Sequence, residues 1–255
     1  MTADHILARI VRRKQEELQA KNVPLHDLEE QAHSCSRRSF RQAITTRSPA
    51  IIAEIKKASP SRGLLAENFD PAQIAREYEA GGAAALSVLT DRDFFQGDLR
   101  DLEAARHATQ LPVLRKDFTI ADYHVVEAAA HGADAILLIA AILDSRQMRG
   151  FRLLAASFQM DTLVEVHNEQ ELEAALASGA DIVGVNNRDL RTFEVDLEVS
   201  RRLAPMIPAG VVRVAESGIF TRADIQALPE YHAFLIGESL MRSGDPASAL
   251  KALCS

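Results

Sequence analysis

Short apolar runs recur along this chain at regular intervals. "GGAAALSVL" (81–89), "HGADAILLIA" (131–140) and "SGADIVGVNN" (178–187) share one plan: Gly-Ala, a small or acidic residue, then apolar residues. Gly82, Gly132 and Gly179 stand 50 and 47 residues apart. A glycine just past a helix can take the left-handed conformation, and the run that follows it reads as a strand buried on both faces. The interval is long enough for two strand–helix units. The runs "AIIAEIKK" (50–57), "LPVLRKDF" (111–118), "DTLVEV" (161–166), "VVRVAES" (211–217) and "AFLIG" (233–237) bring the number of expected strands to eight.

Amphipathic stretches with helix-start signals lie between them. Asp70-Pro71 and Asp245-Pro246 combine an N-cap with proline at the first helical position. Asn168 to Glu171 and Thr221 to Asp224 have the spacing of capping boxes, the second with Asp in place of Glu or Gln. Strict alternation of strand and helix implies parallel strands with crossovers. Eight such units predict a single (β/α)8 TIM barrel over residues 49–255. An open doubly wound sheet is the alternative, but the Gly-rich turn usual after its first strand is missing. Residues 1–48 read as a helical extension packed on the barrel, with Ile6, Leu7, Ile10, Val11 and Leu18 on one face.

In such a barrel the active site lies at the C-terminal ends of the strands. Five of the runs end in polar or charged residues: Glu54 and Lys56, Lys116, Glu165, Asn186, and Glu216-Ser217. Lys56, Lys116, Glu165, Glu216 and Ser217 come from odd-numbered strands, which fill alternate interior layers, so they are expected to converge in one layer at the barrel mouth. Opposite charges clustered there offset one another's burial. The plainer reading puts each charge in a loop beyond its strand. The seventh and eighth loops of this fold often hold phosphate; here they carry Gly218, and Gly237 with Ser239, and Ser59 of the first loop can reach the same region. Phe94, Phe95 and Phe118 follow the second and third strands, and Phe95, Phe118, Leu137 and Leu190 are candidates for an apolar wall. Core packing is the commoner fate of a phenylalanine.

Composition adds constraints. The 255 residues are 47% apolar and 25% charged, as a globular chain should be. The formal net charge of −7 argues against a nucleic-acid partner; the one local basic cluster, Arg37, Arg38 and Arg41, reads as a solvated helix face. No run approaches the roughly 18 apolar residues of a membrane span, and the N-terminal stretch lacks the apolar centre of a signal peptide. Two distant cysteines suit a reducing cytoplasm, and eight scattered histidines give no metal-binding spacing.

Taken together, "IIAEIKKASPSRG", "FFQG", "LPVLRKDF", "LVEVHNEQEL", "GVNNRDL", "VAESGI" and "FLIGESLM" resemble the indole-3-glycerol phosphate synthase family, in order from about residue 4 onward and more loosely over residues 1–48. The resemblance implies a cytoplasmic enzyme of tryptophan biosynthesis. Its reaction closes the indole ring of 1-(2-carboxyphenylamino)-1-deoxyribulose 5-phosphate with loss of CO2 and water, without metal or organic cofactor. It implies a phosphorylated small-molecule substrate; charge and hydropathy argue against nucleic-acid and membrane partners, and a monomer is the expectation for an oligomeric state that the sequence itself does not give. By the same resemblance Lys116 is the general acid and Glu165 the general base. Lys56 holds the substrate carboxylate, with the acid role divided between the two lysines in an unspecified way, and Glu54 orients both. Asn186, Arg188, Glu216 and Ser217 match substrate-contacting positions; Ser59, Gly218, Gly237, Glu238 and Ser239 match the phosphate region. Two other readings of the bare residues stay open: a Schiff-base aldolase using Lys56 or Lys116, and a barrel that binds a phosphorylated ligand without catalysis.

Overall fold

The computed structural model describes residues 6–21, 23–60, 63–66 and 68–254. Residues 1–5 of the expected extension, and Ser61 and Arg62 of the "SPSRG" stretch, lie outside the described residues. The apolar runs become β1 (Ala50–Ile55), β2 (Ala85–Leu89), β3 (Val113–Lys116), β4 (Ala135–Ile139), β5 (Asp161–Val166), β6 (Ile182–Asn186), β7 (Val212–Glu216) and β8 (Ala233–Ile236). All pair in parallel and the sheet closes, with Ala50 of β1 opposite Ala233 of β8 and Ile52 opposite Ala85 of β2. The fold is the (β/α)8 barrel. Closure leaves the sheet no unpaired edge, and helices such as Pro71–Gly81 and Asp122–Ala130 cover its outside.

The local signals act as their chemistry requires. Asp70 caps the helix that Pro71 begins, accepting from the N–H groups of Ala72 and Gln73. Thr221 and Asp224 form a reciprocal capping box. Asn168 makes only half of one: it accepts from the Glu171 N–H, but the Glu171 carboxylate turns to His167 and to the Asn168 side-chain amide. Gly82, Gly132 and Gly179 have φ of 93°, 82° and 84°, so the repeated glycine ends a helix and turns the chain into the next strand.

Three helices precede β1: α1 (Ile6–Gln19), α2 (Leu25–Ser34) and α3 (Phe40–Thr45). They meet the barrel at three places. Phe40 and Ile44 of α3 are fully buried among inward-facing residues such as Ile52, Leu114 and Leu163. The Arg41 N–H donates to Asp161 at the start of β5, which fixes α3 at the N-terminal end of the barrel. α2 packs outside, against helix Asp122–Ala130. α1 reaches the opposite end. Its Lys14 is buried, with Nζ 2.9 Å from both Asp91, just after β2, and Asp117, just after β3. Burial disfavours that ammonium; the two carboxylates more than offset it and raise its pKa.

Of the basic cluster only Arg41 lies exposed on a helix, α3. Arg37 and Arg38 lie in the link between α2 and α3 and are half-buried. Arg37 donates to the carbonyls of Phe158, Ala32 and Ala129, and Arg38 to those of Arg106 and Leu111. Guanidinium groups here satisfy carbonyls at helix and strand ends, which demand partners once buried. Among the described residues no helix is long and apolar enough to cross a membrane.

Candidate active site

The C-terminal ends of the strands surround one cavity, and every candidate site residue named from the sequence lines it. Its floor is charged. Lys116, at the end of β3, places Nζ 2.8 Å from Glu165 Oε2 of β5 and 3.4 Å from Glu216 Oε2 of β7. Glu54 of β1 is buried close enough to add to the field on Lys116. Odd strands thus supply a shared layer. Lys56 is not in it: two residues beyond Glu54 on the same side of the chain, it stands one step nearer the mouth and donates back to Glu54. Ser217 also leaves the layer. It and Gly218 have φ of 65° and 79°, turning the chain sharply out of β7 along the cavity wall.

The even strands make room. A Cβ at Gly184 of β6 would overlap Glu216 Oε1, and a Cβ at Gly237, just past β8, would overlap Glu54 Oε1. Gly237 therefore serves the Glu54 carboxylate directly. Gly237→Ala is expected to push Glu54 off Lys56 and lower kcat on the order of 100-fold, with steady-state kinetics separating kcat from KM. A rise in KM alone would place the new methyl against substrate instead.

Burial, then charge, sets the protonation states. Desolvation opposes the Lys116 ammonium, but Glu165, Glu216 and Glu54 outweigh it and its pKa rises. Desolvation likewise opposes the Glu165 carboxylate; Lys116 and His167 overcome it and hold it ionised. Glu216 goes the other way. Burial raises its pKa, Lys116 opposes, Glu165 adds to the rise, and the result is about 8. One ammonium thus faces one carboxylate and one carboxyl that keeps its proton at neutral pH.

Above this floor one wall is apolar. Phe95 and Phe118 pack at 6.1 Å between ring centroids, 37° apart, and Leu137 and Leu190 line the same cavity; Phe94 is not part of it. Opposite lie the loops after β7 and β8, with Gly218, Gly237, Glu238 and Ser239, and Ser59 of the first loop. Among the described residues the buried Ser239 hydroxyl has no hydrogen-bond partner. The Glu238 carboxylate is 3.5 Å from Arg188 Nη2. Among the described residues no cluster of three or more His, Cys, Asp or Glu side chains is placed to hold a metal ion.

The family profile of indole-3-glycerol phosphate synthase matches residues 7–253. The chain belongs to the indole-3-glycerol phosphate synthase family. A protein of that name from Desulfotalea psychrophila is 51% identical over 254 residues, covering 97% of this chain and 98% of its own. Another from Burkholderia vietnamiensis is 48% identical, with 96% and 97% covered. In fold alone, the thiamine phosphate pyrophosphorylase of Pyrococcus furiosus aligns with a TM-score of 0.60 at 16% identity, over 84% of this chain and 96% of that one.

For this indole-3-glycerol phosphate synthase relative, several residues escaped the sequence reading. Ile6, Leu7 and Ile10 of α1 line the cavity, so the helix read as packing also forms a wall of the site. Phe193 and Phe220 line it from loops after β6 and β7. Asn186 and Asn187 divide their work: Asn186 donates to Glu165 Oε1 at 3.2 Å, whereas Asn187 donates to the Glu216 and Ser217 carbonyls and holds the seventh loop. His167 stands two residues beyond Glu165, as Lys56 does beyond Glu54, and the same period-two argument reaches it.

Proposed function

We infer that this chain converts 1-(2-carboxyphenylamino)-1-deoxyribulose 5-phosphate to indole-3-glycerol phosphate, CO2 and water, as a carboxy-lyase of tryptophan biosynthesis. The observation that carries the assignment of roles is the Lys116 ammonium held between Glu165 and Glu216, with the Glu54–Lys56 pair above it in one cavity.

Ring closure joins the carboxylate-bearing ring carbon to the ketone carbon, and the ketone oxygen must gain a proton. Lys116 supplies it: a developing alkoxide is basic enough to take a proton from a strongly held ammonium. The new bond breaks the ring's aromaticity, and loss of CO2 restores it. Lys56, nearer the mouth, holds the carboxylate until then, with Glu54 setting its position. The hydroxyl then leaves as water with a second proton, and Glu165 takes the proton from the adjacent ring carbon. The carboxyphenyl ring lies on the Phe95, Phe118, Leu137 and Leu190 wall, and Asn186, Arg188, Glu216 and Ser217 contact the rest of the substrate. The Ser239 and Ser59 hydroxyls and the backbone N–H groups around Gly218, Gly237 and Glu238 take the phosphate. The Glu238 carboxylate, sharing the phosphate's sign, stays with Arg188. Anchoring the phosphate orients the reacting end.

A Schiff-base role is disfavoured for Lys116, because an amine nucleophile needs a lowered pKa and its surroundings raise this one. Cys35 and Cys254 are free, which supports a reducing, cytoplasmic setting. The test is direct: the purified protein, given the anilino-deoxyribulose phosphate with a chelator present, is expected to develop indole absorbance. Substrate left unchanged would overturn the assignment.

A further inference from the structure

Helix α1 does more than cover the barrel mouth. Leu7, Ile10 and Lys14 stand three and four residues apart, so they share one stripe of the helix. Leu7 and Ile10 line the cavity, whereas Lys14 does not; it is buried between the segments that follow β2 and β3. Those two segments carry Phe95 and Phe118, the aromatic wall.

Each carboxylate that Lys14 meets seats one of the two phenylalanines. Asp91 caps the short helix Arg92–Phe95: its Oδ1 accepts from the Phe94 N–H at 2.8 Å, and its Oδ2 lies 2.9 Å from Lys14 Nζ. Asp117 Oδ1 accepts from the Phe118 N–H at 2.8 Å and is 2.9 Å from the same ammonium. The two do not depend on Lys14 equally. Asp117 Oδ2 also accepts from Thr90 and Arg115. Asp91 is fully buried, and among the described residues its Oδ2 has no partner besides Lys14. A buried carboxylate stripped of its counter-ion is strongly disfavoured. Loss of Lys14 would therefore drive Asp91 toward water, and the cap that fixes Phe95 would go with it. Arg13, the neighbouring residue of α1, pairs with Asp93 of the same short helix, but at the surface, where such pairs contribute little.

We propose that Lys14 is a positioning residue for the aromatic end of the substrate: through Asp91 and Asp117 it sets Phe95 against Phe118, and through its own helix it brings Leu7 and Ile10 to the same cavity. A clamp of this kind governs how the carboxyphenyl or indole ring fits and leaves the phosphate loops alone. Lys14 has this role on the reading above, which lays that ring on the Phe95–Phe118 wall.

The experiment compares two ligands on Lys14→Met. The chain has no tryptophan, so bound indole-3-glycerol phosphate can be followed by its own fluorescence. Glycerol 3-phosphate, which keeps the phosphate and lacks the ring, is measured by displacing it. Lys14→Met should weaken the indole ligand about tenfold, the scale of a lost aromatic contact, and leave glycerol 3-phosphate within about twofold. KM for the full substrate should rise by a similar factor while kcat changes less, the pattern of lost uniform binding. Asp91→Ala should show the same selectivity. It carries the test should Lys14→Met not fold, because Lys14 then keeps Asp117 and no charge is stranded. Arg13→Met should change neither ligand. Equal weakening of both ligands, no weakening of either, or an Arg13→Met loss as large as that of Lys14→Met would each overturn the clamp. Failure of the ring's placement is distinguishable: the wild-type enzyme itself would then bind the indole ligand no more tightly than glycerol 3-phosphate, which would overturn the clamp as well.

Discussion

Lys116→Met is expected to lower kcat by about 10³-fold, within the range a positioned general acid contributes, while substrate still binds. Methionine keeps the length and apolar stem of lysine but removes the ammonium assigned to protonate the ketone oxygen from the cavity floor. Binding should survive because the phosphate loops, the Phe95–Phe118 wall and Lys56 are untouched. The fold should survive too. Removing one partner of a buried pair typically costs about 3–5 kcal/mol through the charge left behind, but here Glu216 already keeps its proton at neutral pH, and Glu165 retains His167 and the Asn186 amide. The checks are kcat from indole absorbance, substrate affinity from titration of the inactive variant, and thermal denaturation. Turnover within about tenfold of wild type would take Lys116 out of the acid role.

That prediction rests on geometry partly visible in the sequence. Strand count, parallel order and glycine-ended helices followed from the recurring Gly-Ala pattern and from caps such as Asp70-Pro71, because each signal acts over a few residues. The convergence of Lys116, Glu165 and Glu216 followed from two periodicities: side chains alternate along a strand, and alternate strands fill alternate layers. What the sequence did not reveal acts across the fold. Nothing local says that α1 reaches the mouth while α3 plugs the far end; that depends on Lys14 finding Asp91 and Asp117, residues 77 and 103 positions away in the chain. Nothing local says that Gly184 yields space to a carboxylate of the neighbouring strand. Arg37 and Arg38 looked solvated because their carbonyl partners lie on Phe158, Ala129, Arg106 and Leu111, far along the chain.

The base can be separated from the acid by where the reaction stops. Glu165→Gln is expected to slow indole formation by about 10²–10⁴-fold while leaving ring closure and loss of CO2 in place for the first turnover. Glutamine preserves the volume, and its amide oxygen can still accept from Lys116, so the acid stays seated. Lys116 does not lose its counter-ion either. Glu216 holds its proton partly because Glu165 is ionised beside it; with that charge gone, Glu216 ionises more readily and takes over the pairing at 3.4 Å. What the variant lacks is an acceptor for the ring-carbon proton, a step needed only after CO2 has departed. A quenched single turnover should therefore release about one equivalent of CO2 per site without matching indole absorbance, the remainder being the hydroxylated, non-aromatic five-membered ring. CO2 and indole falling together would move Glu165 to a step before decarboxylation. Indole formed at the wild-type rate would hand the proton abstraction to another group, with Glu216 the nearest carboxylate to inherit it.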